Sequence, residues 1–180
     1  YIDITYDNTG AQPVSFTTLT LNPTASGDDA EEVHTSGAVT LTGTAVALRE
    51  STTSGQGRHV GIRFQNVTVP AGATIQTVYL RLIPAASVLG TVIDCTIYAN
   101  AVDSAAIFTT AGYDVTGRAR TAGAVWLVSG GNEKYMRAGR TYQASDAKTA
   151  VGAVLARAGW VSGNNLAVLL ICPIVAVKGA

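Results

Sequence analysis

The residues Val60 to Leu82, VGIRFQNVTVPAGATIQTVYLRL, constrain the fold more than any other stretch. Val60, Ile62 and Phe64 alternate with Gly61, Arg63 and Gln65, and beyond Pro70-Ala71-Gly72 the residues Val78, Leu80 and Leu82 alternate with Tyr79 and Arg81. A period of two sends successive side chains to opposite faces of a strand, so the stretch reads as two strands and a corner, each with one buried and one wet face. Such a unit needs partners to cover its apolar faces. The chain has 180 residues, one domain by length, and a domain of this size buries roughly 70% of its unfolded surface, enough for a core without staples.

Taken in order, Tyr1 to Tyr6 (YIDITY) sets Ile2 and Ile4 against Asp3 and Thr5 and reads as a strand. Asp7-Asn8-Thr9-Gly10 and Pro13 form a bend that separates it from the β-prone run Val14 to Leu21. Val39 to Leu41 and Ala45 to Leu48 read as short strands joined at Gly43, and Ser51 to Gly57 as a loop tip. Thr91 to Ala99, Val125 to Val128 (ended by Gly130 and Gly131) and Leu166 to Ile171 are further strands, and Phe108 to Ala122 is irregular. One helix is expected over residues 147–158, where Val151, Val154, Leu155 and Ala158 share a face, with Ser145 or Asp146 capping its start and Gly159 in a left-handed position at its end. Many short strands and a single helix predict an all-β fold, an antiparallel β-sandwich of jelly-roll type. The expected division is an N-terminal strand and linker over 1–13 and a sandwich over 14–180.

The charges balance at 12 Lys plus Arg against 12 Asp plus Glu, which disfavours nucleic acid and acidic membranes as partners. Charged residues are only 13% and hydrophobic ones 47%, a mix that suits a β-rich protein in an assembly or outside a cell. Leu166 to Val177 is the most apolar run, but it contains Pro173 and is well short of the roughly 20 residues of a membrane-spanning helix. No signal peptide is visible and the first residue is Tyr1, so a processed or partial chain is expected. Cys95 and Cys172 fall in phase with apolar neighbours and are expected as buried free thiols. A disulfide stays open, requiring Cα atoms within about 7 Å.

Gly27 to Gly37 holds Asp28, Asp29, Glu31 and Glu32. This is a solvated loop leading into a strand or, since hard cations take several oxygen ligands, a calcium site without EF-hand spacing. His34 and His59 are the only histidines, outside any nucleophile, zinc or phosphate-loop motif, and are expected at the surface. Nothing points to a catalytic set, and the chain is read as not an enzyme. Stacking on sugars needs exposed aromatic faces, for which Tyr135, Tyr142 and Trp126 are the main candidates, with Trp160, Tyr98 and Tyr113 behind them. Trp126 and Trp160 are expected in the core. Asn66-Val67-Thr68 matches the N-glycosylation pattern, which is common by chance.

The order GDDAEE, GIRFQNVTVPAGATIQTVYLRL, GRARTAGAVW, then a helix ending ARAGW and SGNNLAVLLI, across Gly27 to Ile171, resembles the DNRLRE-type β-sandwich modules. This carbohydrate-binding-module-like group occurs in large secreted bacterial proteins and phage virion proteins. Modules that look like this close with a further strand after LAVLLI, which Val177 to Ala180 does not supply, whereas YIDITY reads like it. The resemblance thus implies that Tyr1, Ile2, Ile4 and Tyr6 form a strand-exchange interface, completing this sandwich or a neighbour's. It implies a structural or decoration module of an extracellular or virion surface assembly, partnered by copies of itself or neighbouring modules. The alternative is a carbohydrate-binding or adhesion module contacting surface glycans, and a glycan-active enzyme is the third reading. No cofactor is expected beyond calcium.

Overall fold

The computed structural model describes residues 1–7, 15–41, 45–48, 57–89, 94–127 and 135–172, and in it the two strands flanking the Pro70 corner lie in different sheets. In chain order the strands begin with β1 (Ile2–Asp7), β2 (Phe16–Leu21), β3 (Asp29–Val33) and β4 (Val39–Thr40), with a 3-10 turn at Ser26–Asp28 leading into β3. Next come β5 (Arg58–Phe64), β6 (Thr74–Leu82), β7 (Val88–Leu89), β8 (Asp94–Ala99) and β9 (Ala124–Leu127). The chain continues with β10 (Tyr135–Met136), β11 (Tyr142–Gln143), helix α1 (Lys148–Leu155) and β12 (Leu166–Ile171).

One sheet has four strands in the order β11-β6-β1-β2, the other six in the order β4-β3-β5-β12-β8-β9, and β7 pairs with β10. Every pairing is antiparallel. The protein is therefore an all-β sandwich with one short helix among the described residues. The corner that links the sheets is a turn in which the Ala73 N–H donates to the Pro70 carbonyl at 3.3 Å. Gly72 sits in it at φ +78, and a Cβ there would meet nothing within 4 Å, so the demand for glycine is conformational.

The core lies between the sheets. Ile2 and Ile4 of β1, Val60 and Phe64 of β5, Val78 and Leu80 of β6, Ile97 of β8, and Val168 and Leu170 of β12 are all buried in it. Helix α1 packs on β6 and β8, one strand from each sheet, with Val151, Val154 and Leu155 inward. It is shorter than expected. Asp146 does serve its start, Oδ1 accepting from the Lys148 N–H at 2.9 Å and from the Val78 N–H at 2.9 Å, which also ties the helix to β6. Gly159 is not in the left-handed region; a Cβ there would lie 2.1 Å from the Asp103 carboxylate, the end of a half-exposed side chain. Left-handed backbone appears instead at Gly163, φ +99, in the turn before β12.

Two other expectations change. Ala45 to Leu48 is not a strand, although Val46 and Leu48 pack on the core. β1 lies inside this chain's own four-stranded sheet, between β6 and β2, with Ile2 and Ile4 fully buried, which is one of the two placements expected of Tyr1 to Tyr6. The bend at 8–13, Gly43, residues 91–93, most of the 51–57 tip, Val128, Gly130, Gly131 and the segment from Pro173 onward lie outside the described residues. Cys95 and Cys172 are not free thiols but a disulfide, with Cα atoms 4.2 Å apart. Register explains it: Thr96 faces Ile171 across β8 and β12, which brings the adjacent residues Cys95 and Cys172 opposite each other on the core face.

Candidate functional site

β5 was expected to have a wet face, yet Gly61 and His59 on its outer side are buried along with Val60 and Phe64. Neighbouring β12 is buried on both faces: Leu166, Val168 and Leu170 enter the inter-sheet core, while Ala167 and Leu169 enter a second cluster with Ala30, Val39, Ala105, Phe108 and Val115. The lid of that second cluster is the irregular segment between β8 and β9. Phe108 seats over Gly61, where a Cβ would come within 2.4 Å of the ring. Arg118 fastens the lid: its guanidinium donates to the carbonyls of Ala106 and Ile107, each at 2.9 Å, and to Asp114, and lies 3.9 Å over the Phe108 ring. Burial works against ionisation of Asp114, but hydrogen bonds from Arg118 and Thr109 outweigh it and hold its carboxyl below the ordinary value.

Beneath and beside this lid the sheet carries polar groups. Asp28, fully buried, pairs with Arg63 at 2.5 Å and also accepts from Gln65 Nε2 at 2.7 Å and from the Thr24 and Ala25 N–H groups. Burial opposes its charge, and these donors, Gln65 and Arg63 first, hold its pKa below the ordinary value. Glu32, 1% exposed, accepts from the N–H groups of Val115 at 2.8 Å and Thr116 at 2.9 Å and from the Thr116 hydroxyl. It thus holds the lid from the sheet side. Across the ladder from Glu32 is His59, whose Nε2 lies 2.8 Å from His34 Nδ1 and whose Nδ1 accepts from the Cys172 N–H at 3.2 Å. At 4% exposure His59 is not the surface histidine expected, because the face it occupies is covered. Burial first, then His34, push its pKa below the ordinary value; Glu32 pulls the other way and Arg120 adds to the depression. Arg120 lies 5.1 Å over the Tyr98 ring.

The structure does not gather the four acidic residues of 28–32. Alternation along β3 sends Glu32 to the covered face with Ala30 and puts Asp29 and Glu31 on the other side. Glu31 accepts from the Ala47 N–H at 2.5 Å and faces Arg58 at 3.9 Å. Among the described residues no three His, Cys, Asp or Glu side chains converge as a metal site would need. Of the sugar-stacking candidates, Trp126 is in the core at 5% exposure and is not a platform, and Trp160 is buried with its Nε1–H on the Val69 carbonyl at 3.0 Å. Tyr142 is half-buried, its hydroxyl accepting from the Arg137 N–H at 2.7 Å. Tyr135 pairs through its backbone with Leu89, and its side chain lies outside the described set.

Among the tyrosines and tryptophans considered for stacking, Tyr113 presents an exposed ring. It is 53% exposed and held at φ 63, its ring lying against Gly37, where a Cβ would be 2.4 Å away, while its N–H donates to the Gly37 carbonyl at 2.8 Å. A bulky residue in that backbone region is uncommon and needs its surroundings to hold it. Gly37 belongs to the β3–β4 turn that also carries the half-buried His34, so this turn joins the exposed ring to the buried His59.

No family model, curated protein or solved structure matches this chain. The likeness to DNRLRE-type modules therefore rests on the quoted residues alone.

Proposed function

We propose that the protein is a non-catalytic structural or decoration module of an extracellular or virion surface assembly. The observation that carries this reading is that its best-formed polar cluster is occupied by the fold itself. Asp28, Glu32, His59, Asp114 and Arg118 each hold backbone groups or one another across the covered sheet, where a catalytic set would keep a reactive atom aimed at a substrate space. The Cys95–Cys172 disulfide supports a site outside a reducing cytoplasm. No helix among the described residues is long and apolar enough to cross a membrane.

Assembly through a sheet edge fits β2. Among the described residues it pairs on one side only, with β1, and its sequence FTTLTL has no charge, proline or glycine to discourage further pairing, with Phe16 61% exposed. Exchange of β1 between copies is the companion proposal, since an exchanged strand would bury the same Ile2, Ile4 and Tyr6 between β6 and β2. A Thr5→Cys, Thr77→Cys pair tests exchange, because these residues face each other across β1 and β6. Under oxidation, crosslinked dimers support it, and crosslinked monomers alone rule it out. For the edge, light scattering across a concentration series should show oligomers that Thr18→Lys abolishes; a strictly monomeric protein overturns the assembly reading.

The carbohydrate-binding alternative is favoured by one observation, the half-exposed Tyr113 ring fixed on Gly37. Binding on a glycan array that Tyr113→Ala removes would select it.

A further inference from the structure

A neutral imidazole has one donor and one acceptor nitrogen, and on the covered face both rings have theirs assigned by their surroundings. The Cys172 N–H points at His59 Nδ1, so that nitrogen carries a lone pair and the ring proton sits on Nε2. Nε2–H therefore donates to His34 Nδ1, 2.8 Å away, which in turn places the His34 proton on its own Nε2. The order runs from the peptide after β12, through His59, to the β3–β4 turn.

We propose that the His34–His59 pair is an acid-sensitive clasp that ties the β3–β4 turn to the end of β12 while both rings are neutral and lets go when either takes up a proton. Both acceptor nitrogens are in use, so an added proton must displace a hydrogen bond. On His34 Nδ1 it sets two N–H groups against each other, and on His59 Nδ1 it sets one against the Cys172 N–H. The surroundings give the charged form little relief. From β3, Glu32 favours it, but the Glu32 oxygens already accept from Val115 and Thr116. From the lid side Arg120 opposes it, and from the end of β12 it meets the Cys172 N–H, a donor that cannot accept its proton. On its own strand Arg58 precedes it and faces Glu31. The Cys95–Cys172 disulfide keeps the end of β12 tethered when the clasp opens, so opening is local and reversible. Its outlet is the turn under Tyr113, the exposed ring beside this cluster.

The test uses the full chain labelled with nitrogen-15. Long-range proton–nitrogen correlation of the ring nitrogens should show both histidines as Nε2–H tautomers at about pH 8, with the His59 midpoint below the ordinary value of about 6.5. Amide exchange at Cys172, corrected for the intrinsic pH dependence, should speed at least about tenfold as His59 titrates, the factor corresponding to about 1.4 kcal/mol of lost protection. An Nδ1–H tautomer for His59, or a titration that leaves Cys172 protection unchanged, overturns the proposal. In parallel, His34→Gln and His59→Asn should lose at least about half of the fall in melting midpoint seen in the parent between about pH 7.5 and 5. Variants that fold and keep the parent's full pH dependence refute it; if His59→Asn does not fold, the ring tautomers and the Cys172 exchange decide.

Discussion

Glu32→Ala would test how the lid is held. Glu32 sits fully within the covered face and accepts two backbone N–H bonds, from Val115 at 2.8 Å and Thr116 at 2.9 Å, besides the Thr116 hydroxyl. Truncation orphans those donors in a dry place, at about 1–3 kcal/mol for each group left unmet. Against that, the carboxylate no longer has to be desolvated, which returns part of the loss. The expected net destabilisation is about 3–5 kcal/mol, a large fraction of the 5–15 kcal/mol by which domains are stable. Glu32→Gln keeps one carbonyl oxygen and the shape, so about 1–2 kcal/mol is expected, with its amide turned toward one of the donors. Urea denaturation of parent and variants gives the magnitudes, and a double-mutant cycle with Thr116→Val isolates the coupling, expected at about 1 kcal/mol or more. Exchange at the Val115 and Thr116 amides should rise in both Glu32 variants while the β6 amides stay protected. A Glu32→Ala variant within about 0.5 kcal/mol of the parent would show that Glu32 does not fasten the lid.

Three further outcomes follow from the same packing. Gly61→Ala puts a methyl into a Phe108 ring already capped by Arg118, so a loss of about 1–3 kcal/mol is expected, readable as a lower melting midpoint and restored in part by Phe108→Leu. The Cys95–Cys172 bond closes 77 residues of sequence; reduction should lower stability by about 4 kcal/mol, and thiol counting in denaturant without reductant should find no free thiol on these two residues. Asp28 has a folded pKa below its ordinary value, so its contribution is complete above about pH 4 and is lost as pH falls through the folded value. Acid unfolding followed by circular dichroism should therefore be shallower in Asp28→Asn, which begins less stable at neutral pH.

Much of the framework was legible in period-two patterns. Val60 to Phe64, Val78 to Leu82 and Ile2 to Tyr6 all lie in strands, since alternation over five or more residues records which face meets the core, and the uninterrupted apolar run Leu166 to Ile171 is a strand as well. What alternation cannot say is what meets the other face. His59 was expected outside because it is out of phase with Val60 and Ile62, a sound inference for a sheet covered on one side only. A usable signal of two-sided cover was present in LAVLLI, where Ala167 and Leu169 are as apolar as Val168 and Leu170, and in Gly61, a strand glycine marking close approach. The disulfide and the histidine pair were out of reach for a different reason. Each depends on the register between strands far apart in sequence, Cys95 with Cys172 and His34 with His59, and register is a property of pairing that no single segment encodes.

The same geometry shifts the functional weight from the ends of the chain toward the covered sheet. The structural role proposed above asks for a module that resists unfolding yet presents something changeable to its surroundings. The inter-sheet core and the disulfide supply the first. The second is concentrated at one corner, where the β3–β4 turn, the start of β5 and the end of β12 meet, and where the buried His59 and the half-buried His34 lie behind the turn on which Tyr113 rests. Asp28 and Asp114 keep their charge to below the ordinary carboxylate value, since their donors hold both pKa values down. His59 is the buried group whose ordinary range lies nearest neutrality. Mild acid should therefore act on this corner first while the lid's Arg118 contacts and the Arg63–Asp28 pair stay closed. Exchange measured at about pH 5 tests that order: early loss of protection at Cys172 and Gly37 with the lid intact fits, and simultaneous loss across the lid would mean that the covered face opens as one unit.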